Sequence, residues 1–363
     1  MTFLVSTFVA TYFSLVTWLY SKHKIQLALY VILISALTTV FSTYLSHDSK
    51  QYINFIQIHG SATFNELATN LKKIEITFIA LSQLLHQTHP LFFFGIYSVS
   101  SFYLKVTLFN KASSAPLITL ATFLALYSIY FDGTVIRVSL GLAACYWALY
   151  ALSKDKLLTY CGLISIFALT LHYSLAIFLL LAFTRSQKSI ILILAAYILL
   201  VLLYIFGVEV GLVSVTELLL SLDSSIPGAS KLQFYLKTLN LSDPFSFSQT
   251  PLFVLSLIVY FKYKQQLSRF DILIFNSFFL SFVIFAAFYH SEIIQVRLSE
   301  MLRFSVIFIA PYFYKLALDT LSSKRTAQAT FGAFLALYFY YSNFVQKMIS
   351  EENLGPLYNL LTY

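Results

Sequence analysis

Long apolar stretches separated by short polar segments dominate the pattern of this 363-residue chain. Twelve such stretches carry almost no charged residue. Within lipid a segment must satisfy its own backbone hydrogen bonds, which an α-helix does. The pattern therefore predicts an all-α polytopic membrane protein with about 12 (11 to 14) transmembrane helices. The predicted spans are 3–20, 25–45, one crossing within 74–109, 116–131, 134–152, 157–171, 173–184, 189–206, 251–262, 270–290, 302–318 and 326–346.

The predicted spans differ in length. Several are shorter than the roughly 20 residues that a helix needs to cross the hydrocarbon core, so flanking residues, a thinned bilayer or burial in protein must complete them. The stretch 74–109 is longer and is broken at His86-Gln-Thr-His-Pro90. It holds either two helices or one crossing with an interfacial or re-entrant segment. The second alternative keeps Lys105 and Lys111 in a cytoplasmic loop.

The segments between the spans contain no soluble domain. Two of them, 46–73 and 207–250, are long enough to be more than connections. The second contains Glu217–Leu222 and Ser230–Leu241, whose near-helical alternation of apolar and polar residues predicts short amphipathic helices on the membrane surface. The sequence thus predicts a single transmembrane domain over residues 1–363 with two long periplasmic loops.

Composition excludes a soluble protein. Of the residues, 59% are hydrophobic and only 10% are charged, and the mean hydropathy is +0.80, which leaves too little polar surface for a water-soluble fold. Cys145 and Cys161 lie in apolar stretches, where buried thiols are expected rather than a disulfide or a metal site. The first stretch has no preceding basic segment and no small-residue cleavage site, so we expect a retained helix and not a signal peptide.

The basic residues predict the orientation in the membrane. A net charge of +8 could indicate nucleic-acid binding, but the lysines and arginines lie in short loops, where they set topology. Fourteen of the 23 fall on one set of alternating loops, and that side carries +11 against −3 on the other. By the positive-inside rule the +11 side is cytoplasmic, both termini lie outside, and no nucleic-acid partner is expected. The fourteen are Lys22, Lys24, Lys105, Lys111, Lys154, Lys156, Arg185, Lys188, Lys262, Lys264, Arg269, Lys315, Lys324 and Arg325.

The outer ends of the predicted spans gather polar side chains from five segments of the chain. Charges at the hydrocarbon boundary are costly, so their accumulation on one face indicates a functional site. The set is Asp48, Tyr52, Glu75, Asp132, Arg137, His172, Tyr173, His290, Glu292, Arg297, Glu300 and Arg303.

Three arginines in this set are candidate ligands for an anion. Arg137 follows an Asp132-Gly turn and lies in the first turn of an apolar helix, where it is either a snorkelling anchor or an anion ligand. Arg297 and Arg303 flank Glu300 at spacings of three, so a helix brings all three to roughly one face. They form either an intrahelical ion-pair ladder or, together with Arg137, a clamp for a diphosphate. We favour the clamp.

Three residues are candidate proton acceptors: His172, Asp48 and Glu75. His172 lies between two short apolar helices and is either a hydrogen-bonded packing residue or a group that exchanges a proton near neutral pH. Asp48 and Glu75 are either carboxylate bases or solvated loop acids. Tyr52 and Tyr173 either stack on sugar faces or belong to an interfacial belt of aromatic rings.

With these residues identified, the chain resembles the Wzy-type polysaccharide polymerases, in particular their EpsG-like branch. The motifs are short and extend over most of the chain. In the branch a Gln typically follows the arginine, whereas this chain has Val138. The motifs are Asp48-Ser-Lys-Gln-Tyr52, Glu75 at the head of the next helix, Ile136-Arg137 followed by Ser139-Leu-Gly-Leu-Ala143, Leu171-His172-Tyr-Ser174, and Arg297-Leu-Ser-Glu300-Met-Leu-Arg303 before Pro311-Tyr-Phe.

The resemblance implies a glycosyltransferase of the bacterial inner membrane that polymerises O-antigen, capsule or exopolysaccharide at the periplasmic face. Its donor and acceptor would be undecaprenyl-diphosphate-linked oligosaccharide repeat units, and it would need no cofactor. Arg137, Arg297 and Arg303 would bind the diphosphate. One of His172, Asp48 and Glu75 would take the proton of the acceptor hydroxyl. Contacts to the sugars would come from Tyr52, Asp132, Tyr173 and Glu300.

Other partners and functions are also considered. Membrane lipid, a chain-length regulator and a flippase protein are the further partners that the resemblance implies. A lipid-linked oligosaccharide flippase is a rival function, but it would need polar residues through the middle of its helices. An O-antigen ligase-like enzyme and a membrane acyltransferase are the other rivals. The polymerase is the function that we favour.

Overall fold

The computed structural model describes residues 2–46, 48–62, 75–206, 249–289, 291–321 and 323–345. Throughout these ranges the regular structure is helical and includes no strand, which confirms the all-α prediction. The α-helices are α1 (Thr2–Ser21), α2 (Leu27–Tyr44), α3 (Ser49–Gly60), α4 (Ile76–Leu85), α5 (Pro90–Ala112), α6 (Pro116–Leu126), α7 (Ile136–Leu152), α8 (Leu157–Thr170), α9 (Gln187–Ile205), α10 (Thr250–Tyr263), α11 (Arg269–Ala287), α12 (Glu292–Arg303), α13 (Val306–Thr320) and α14 (Lys324–Val345). A π-helix (Ser128–Thr134) precedes α7, and a 3₁₀ helix (Tyr173–Ala182) follows α8.

Only some of these helices are long and apolar enough to cross a membrane by themselves. By length and composition they are α2, α5, α9 and α11, or up to six spans in the described ranges if each of two bent pairs is one span. The bends are 66° between α6 and the π-helix and 54° between α12 and α13. Five further apolar helices of 10–17 residues are shorter than a full span. The chain is thus a multispanning membrane protein, and the count of about 12 crossings stays a prediction.

The stretch 74–109 forms two helices, α4 and α5. Helix α5 begins with Pro90 in its first turn, and the side chain of His89 accepts a hydrogen bond from the backbone N–H of Leu91. Lys105 lies inside α5 with its side chain buried. The prediction that Lys105 belongs to a cytoplasmic loop is therefore wrong, because a single lysine in a long apolar helix was assigned by its charge alone. Without Lys105, the side predicted to be cytoplasmic still carries a net positive charge, which is smaller by one.

The chain divides into two compact units, and the first is built around α2 and α5. The hydroxyls of Thr38 and Ser98 lie 2.5 Å apart across these helices, and the rings of Tyr30 and Phe102 pack with centroids 5.7 Å apart. Buried small polar residues let the two helices approach closely. The unit comprises Met1–Phe64, Thr77–Ala144 and Tyr314–Tyr363.

The second compact unit is built around α11, which is the most buried of the candidate spans in the described residues. A capping box between Ser268 and Asp271 fixes the start of α11. Helix α12 packs on it, with Ser277 Oγ donating to the carbonyl of Leu302 at 3.0 Å. Both cysteines are free thiols, and Cys145 is buried as predicted, whereas Cys161 is half-buried. The unit comprises Asn65–Ile76 and Cys145–Phe313.

Several predictions fall partly or wholly outside the described residues. The amphipathic helices at Glu217–Leu222 and Ser230–Leu241 lie outside them, as does His290. The first long periplasmic loop, 46–73, is described as far as residue 62 apart from residue 47, and it contains the amphipathic helix α3. Its position on the periplasmic side stays a prediction.

Candidate functional site

Glu75 and His172 meet in the second unit. Glu75 directly precedes α4, and His172 is the N-cap of the 3₁₀ helix. The Oε1 atom of Glu75 lies 3.7 Å from Nε2 of His172. The Glu75 side chain is 1% exposed and that of His172 is 11% exposed. Two of the three predicted proton acceptors are thus brought together, with the imidazole as the more accessible member.

The other nitrogen of His172 faces Ser174. The backbone N–H of Ser174 donates to Nδ1 at 3.3 Å, and the Ser174 hydroxyl also contacts Nδ1. Since Nδ1 accepts, we assign the ring hydrogen of the neutral imidazole to Nε2, which faces Glu75. The three side chains form a hydroxyl–imidazole–carboxylate series, an arrangement that can move a proton from the hydroxyl to the imidazole. The adjacent Tyr173 is half-buried.

Arg137 lies in the first unit against aromatic rings. Its guanidinium carbon is 5.3 Å from the ring centre of Tyr52 and 4.8 Å from that of Phe78. Both distances fit cation–π contacts, which are stronger away from water. Tyr52 and Phe78 also pack on each other, with ring centroids 6.0 Å apart. The structure therefore joins two predicted site residues, Arg137 and Tyr52.

Helices α3 and α4 run parallel beside Arg137. Tyr52 contacts Phe78 near the start of both helices, and Gly60 lies against His86 at their far ends. A Cβ atom at Gly60 would be 2.1 Å from Cβ of His86, so only glycine permits this approach. Asp48, the third predicted proton acceptor, is the half-buried residue before α3 and belongs to the first unit.

His59 is a residue that the sequence reasoning missed. It is 5% exposed and shares the buried face of α3 with Tyr52 and Ile56. Burial, and secondarily the charge of Arg137, lowers the pKa of His59 below its ordinary value. The signal was present in the sequence, since positions 52, 56 and 59 follow the spacing of one helix face.

Arg303 and Glu300 form an ion pair at the end of α12. The Nη1 atom of Arg303 lies 2.5 Å from Oε1 of Glu300, and the side chains are 4% and 15% exposed. Arg297 is exposed on the same helix. Positions 297 and 303 lie about 120° apart around an ideal helix, so the two arginines meet different surroundings. Their role in binding a diphosphate stays a prediction.

The guanidinium of Arg303 keeps donors for a further ligand. Its Nε and Nη2 atoms are buried and have no hydrogen-bond partner among the described residues. The group also lies over Phe282 and Phe285, at 5.3 and 5.6 Å from the ring centres. An anion that reached these two nitrogens would receive charge-assisted hydrogen bonds in an apolar setting.

Asp132 is held by Lys105 inside the first unit. Nζ of Lys105 lies 2.7 Å from Oδ1 of Asp132, and both side chains are 1% exposed. Ser101 Oγ donates to the same oxygen at 2.8 Å, and Ser139 Oγ also contacts it. The Asp132 carboxylate, predicted to contact sugar, is thus the centre of a buried polar network. A lone lysine in an apolar helix was the signal for this network, because such a charge needs a buried partner.

Comparison with known proteins assigns the chain to a family. The model of the EpsG family matches residues 27–356. The chain belongs to the EpsG family. The match covers nearly the whole chain, and EpsG is a family of Wzy-like polymerases, so the resemblance found in the motifs is confirmed. No curated protein and no solved structure matches this EpsG-family protein.

Family and fold together establish the general class of the protein. It is a polysaccharide polymerase-like membrane protein whose family points to glycosyl transfer. Among the described residues no group of three or more His, Cys, Asp and Glu side chains is arranged to hold a metal ion.

Proposed function

We propose that this EpsG-family protein polymerises a bacterial surface polysaccharide at the periplasmic face of the inner membrane. Its substrates are oligosaccharide repeat units linked to undecaprenyl diphosphate. The observation that carries the proposal is the Glu75–His172 pair, a buried carboxylate held 3.7 Å from an imidazole in a polymerase-family chain. Such a pair is suited to accepting a proton from a sugar hydroxyl.

The reaction joins one chain to one repeat unit. The hydroxyl oxygen of the acceptor sugar bonds to the anomeric carbon of the donor, and the bond from that carbon to the diphosphate oxygen breaks. The acceptor proton passes through the Ser174 hydroxyl to Nδ1 of His172, and the Glu75 carboxylate, 3.7 Å from Nε2, stabilises the imidazolium by charge attraction. Polyprenyl diphosphate leaves with the bonding electron pair. Asp48 is the alternative base in this proposal.

Guanidinium groups stabilise the leaving diphosphate. Negative charge develops on the diphosphate oxygen as the anomeric bond breaks, so preorganised cationic donors lower the barrier. Arg137 is held over two aromatic rings, and Arg303 has two buried nitrogens that lack partners among the described residues. We assign Arg137 of the first unit and Arg303 of the second unit, each on its own contacts, to diphosphate binding. The exposed Arg297 is assigned to the initial capture of the anion. Tyr52, Tyr173 and Glu300 are the proposed sugar contacts.

A reconstituted reaction tests this function. Purified protein in detergent is given lipid-diphosphate-linked repeat units, and products are separated as a ladder on a gel. We expect the parent to form a ladder and His172→Ala and Arg137→Ala to abolish it. Lys111→Ala, at the last turn of α5, is the matched loss of a basic residue outside these groups and should leave the ladder intact.

The outcomes separate the proposed roles. A ladder of parental strength from folded Arg137→Ala would remove the diphosphate role of that residue. The absence of any ladder from folded parent, given several repeat-unit substrates, would reject polymerisation and favour transport or another transfer.

Flippase activity is the second candidate because of the Lys105–Asp132 pair. Charges within helices are what transport of a sugar chain requires. Both side chains are 1% exposed and neutralise each other, so within the first unit they do not offer a polar surface to a passing sugar. Translocation of a labelled lipid-linked unit across proteoliposomes, abolished by loss of this pair, would support transport.

A further inference from the structure

One buried lysine, Lys105, forms hydrogen bonds to residues on both sides of Arg137 in the sequence. Lys105 donates to Asp132 Oδ1 at 2.7 Å and to Ser139 Oγ at 2.5 Å. Asp132 lies five residues before Arg137, and Ser139 lies two residues after it. Lys105 therefore fixes the chain on both sides of the arginine, from a third helix that does not carry it.

A second set of contacts fixes the same turn against α2. Ser42 Oγ donates to the backbone carbonyl of Asp132 at 2.8 Å. A Cβ atom at Gly133 would lie 2.8 Å from Cδ1 of Phe41, so the backbone approaches α2 as closely as glycine allows. The turn belongs to a π-helix, an element that often marks functional positions because it changes the direction of the side chains that follow.

The Arg137 guanidinium and the backbone that carries it are held by different contacts. Cation–π attraction to Tyr52 and Phe78 holds the charge over the rings, but this attraction depends weakly on small sideways shifts. A diphosphate oxygen needs donors at hydrogen-bond distance, and a misplacement of about 1 Å costs about a hundredfold in rate. The bonds from Lys105 to Asp132 and Ser139 restrict such a shift of the backbone on both sides of Arg137.

We propose that Lys105, with Asp132 and Ser139, is the positioning device for Arg137 in the transfer reaction. Lys105 is a positioning residue, since its Nζ is directed to Asp132 and Ser139. This assignment rests on the proposed function of Arg137. It also gives the buried Asp132 a role other than a contact to sugar.

A purely stabilising ion pair would behave differently. Replacing a buried ion pair by neutral residues of similar size is often neutral or stabilising, whereas removing one partner leaves an uncompensated charge. A double substitution of both partners therefore separates folding from positioning. We choose Lys105→Met with Asp132→Asn, which keeps side-chain volume and removes both charges together.

The matched control is a contact in the same unit that shares helix α5 with Lys105. Thr38 and Ser98 form another buried polar contact, between α2 and α5, at 2.5 Å. Ser98 is seven residues before Lys105, two turns along the same helix. The double variant T38V/S98A removes this contact without touching Asp132 or Ser139.

The experiment measures steady-state polymerisation and hydrogen exchange in residues 128–141 for the parent and both double variants. In K105M/D132N we expect kcat to fall about a hundredfold with a smaller rise in KM, because the bound diphosphate is already anionic and gains further negative charge in the transition state. Backbone exchange in 133–140 should increase. T38V/S98A should retain the parental kcat and exchange in that segment.

Each outcome decides the proposal. Folded K105M/D132N with parental kcat, or with unchanged exchange in 133–140, would overturn it. An equal fall in kcat for T38V/S98A would also overturn it, since packing alone would then explain the effect. If the parent shows no polymerisation, the proposed function fails, and the exchange data still test whether Lys105 fixes the segment that carries Arg137.

Discussion

The replacement Glu75→Gln tests the proton-accepting pair with the smallest change of shape. It keeps the volume of the side chain and removes the negative charge that lies 3.7 Å from Nε2 of His172. At this separation and an effective dielectric constant of about 20, the attraction to an imidazolium is about 4 kcal/mol, or about a thousandfold in rate. General base catalysis contributes about 10²- to 10⁴-fold in total, so we expect kcat to fall about 10²- to 10³-fold.

The assay is the initial rate of ladder formation by purified protein at saturating repeat unit. His172→Ala should show a similar loss, and the combined variant should be little worse than either single one, because the two residues act as one unit. Asp155→Asn is the matched control. Asp155 pairs with Arg269, but their side chains are 72% and 68% exposed, and an exposed pair contributes little.

Two results would refute this reasoning. One is a folded Glu75→Gln variant with a rate close to that of the parent. The other is a combined variant whose loss equals the product of the two single losses, since independent residues would behave in that way.

Three further predictions concern stability in detergent. Gly60→Ala should destabilise the protein by about 1–3 kcal/mol, since the added Cβ would lie 2.1 Å from Cβ of His86. Gly162→Ala is the control and should raise the thermal midpoint, because a Cβ there would have no atom within 4 Å. Equal effects of the two variants would contradict the close approach at Gly60. The pKa of His59 is lower in the folded state, so the unfolded state binds more protons below about pH 6.5. Acidification should therefore destabilise the parent more than His59→Leu. Thermal midpoints that change in parallel with pH in the two proteins would reject this. Arg303→Met should lower the thermal midpoint by leaving a carboxylate without its buried partner, and an unchanged midpoint would show that the pair does not stabilise α12.

Helix positions could be predicted from the sequence because apolar composition is a local property. The expected span 25–45 corresponds to α2 (Leu27–Tyr44), and 270–290 corresponds to α11 (Arg269–Ala287). The break before Pro90 was visible for the same reason, since proline ends one helix or begins the next. The number of crossings did not follow, because short and bent helices have no unique relation to a bilayer.

Contacts between distant residues could be predicted only in part. Sorting by topology placed Glu75 and His172 on one side, and the structure joins them. The same sorting separated Lys105 from Asp132, which the structure also joins. Charge counting treats every lysine as a loop residue, and it has no means of recognising one whose partner is presented by a π-helix from another segment.

The most direct test of the central claim is the stoichiometry of polyprenyl diphosphate release. Purified protein is given repeat units with a labelled lipid diphosphate, and the released lipid and the new glycosidic bonds are counted by mass spectrometry. Glycosyl transfer predicts one polyprenyl diphosphate for each new bond. Chain elongation without released diphosphate, or release of polyprenyl monophosphate in its place, would contradict it.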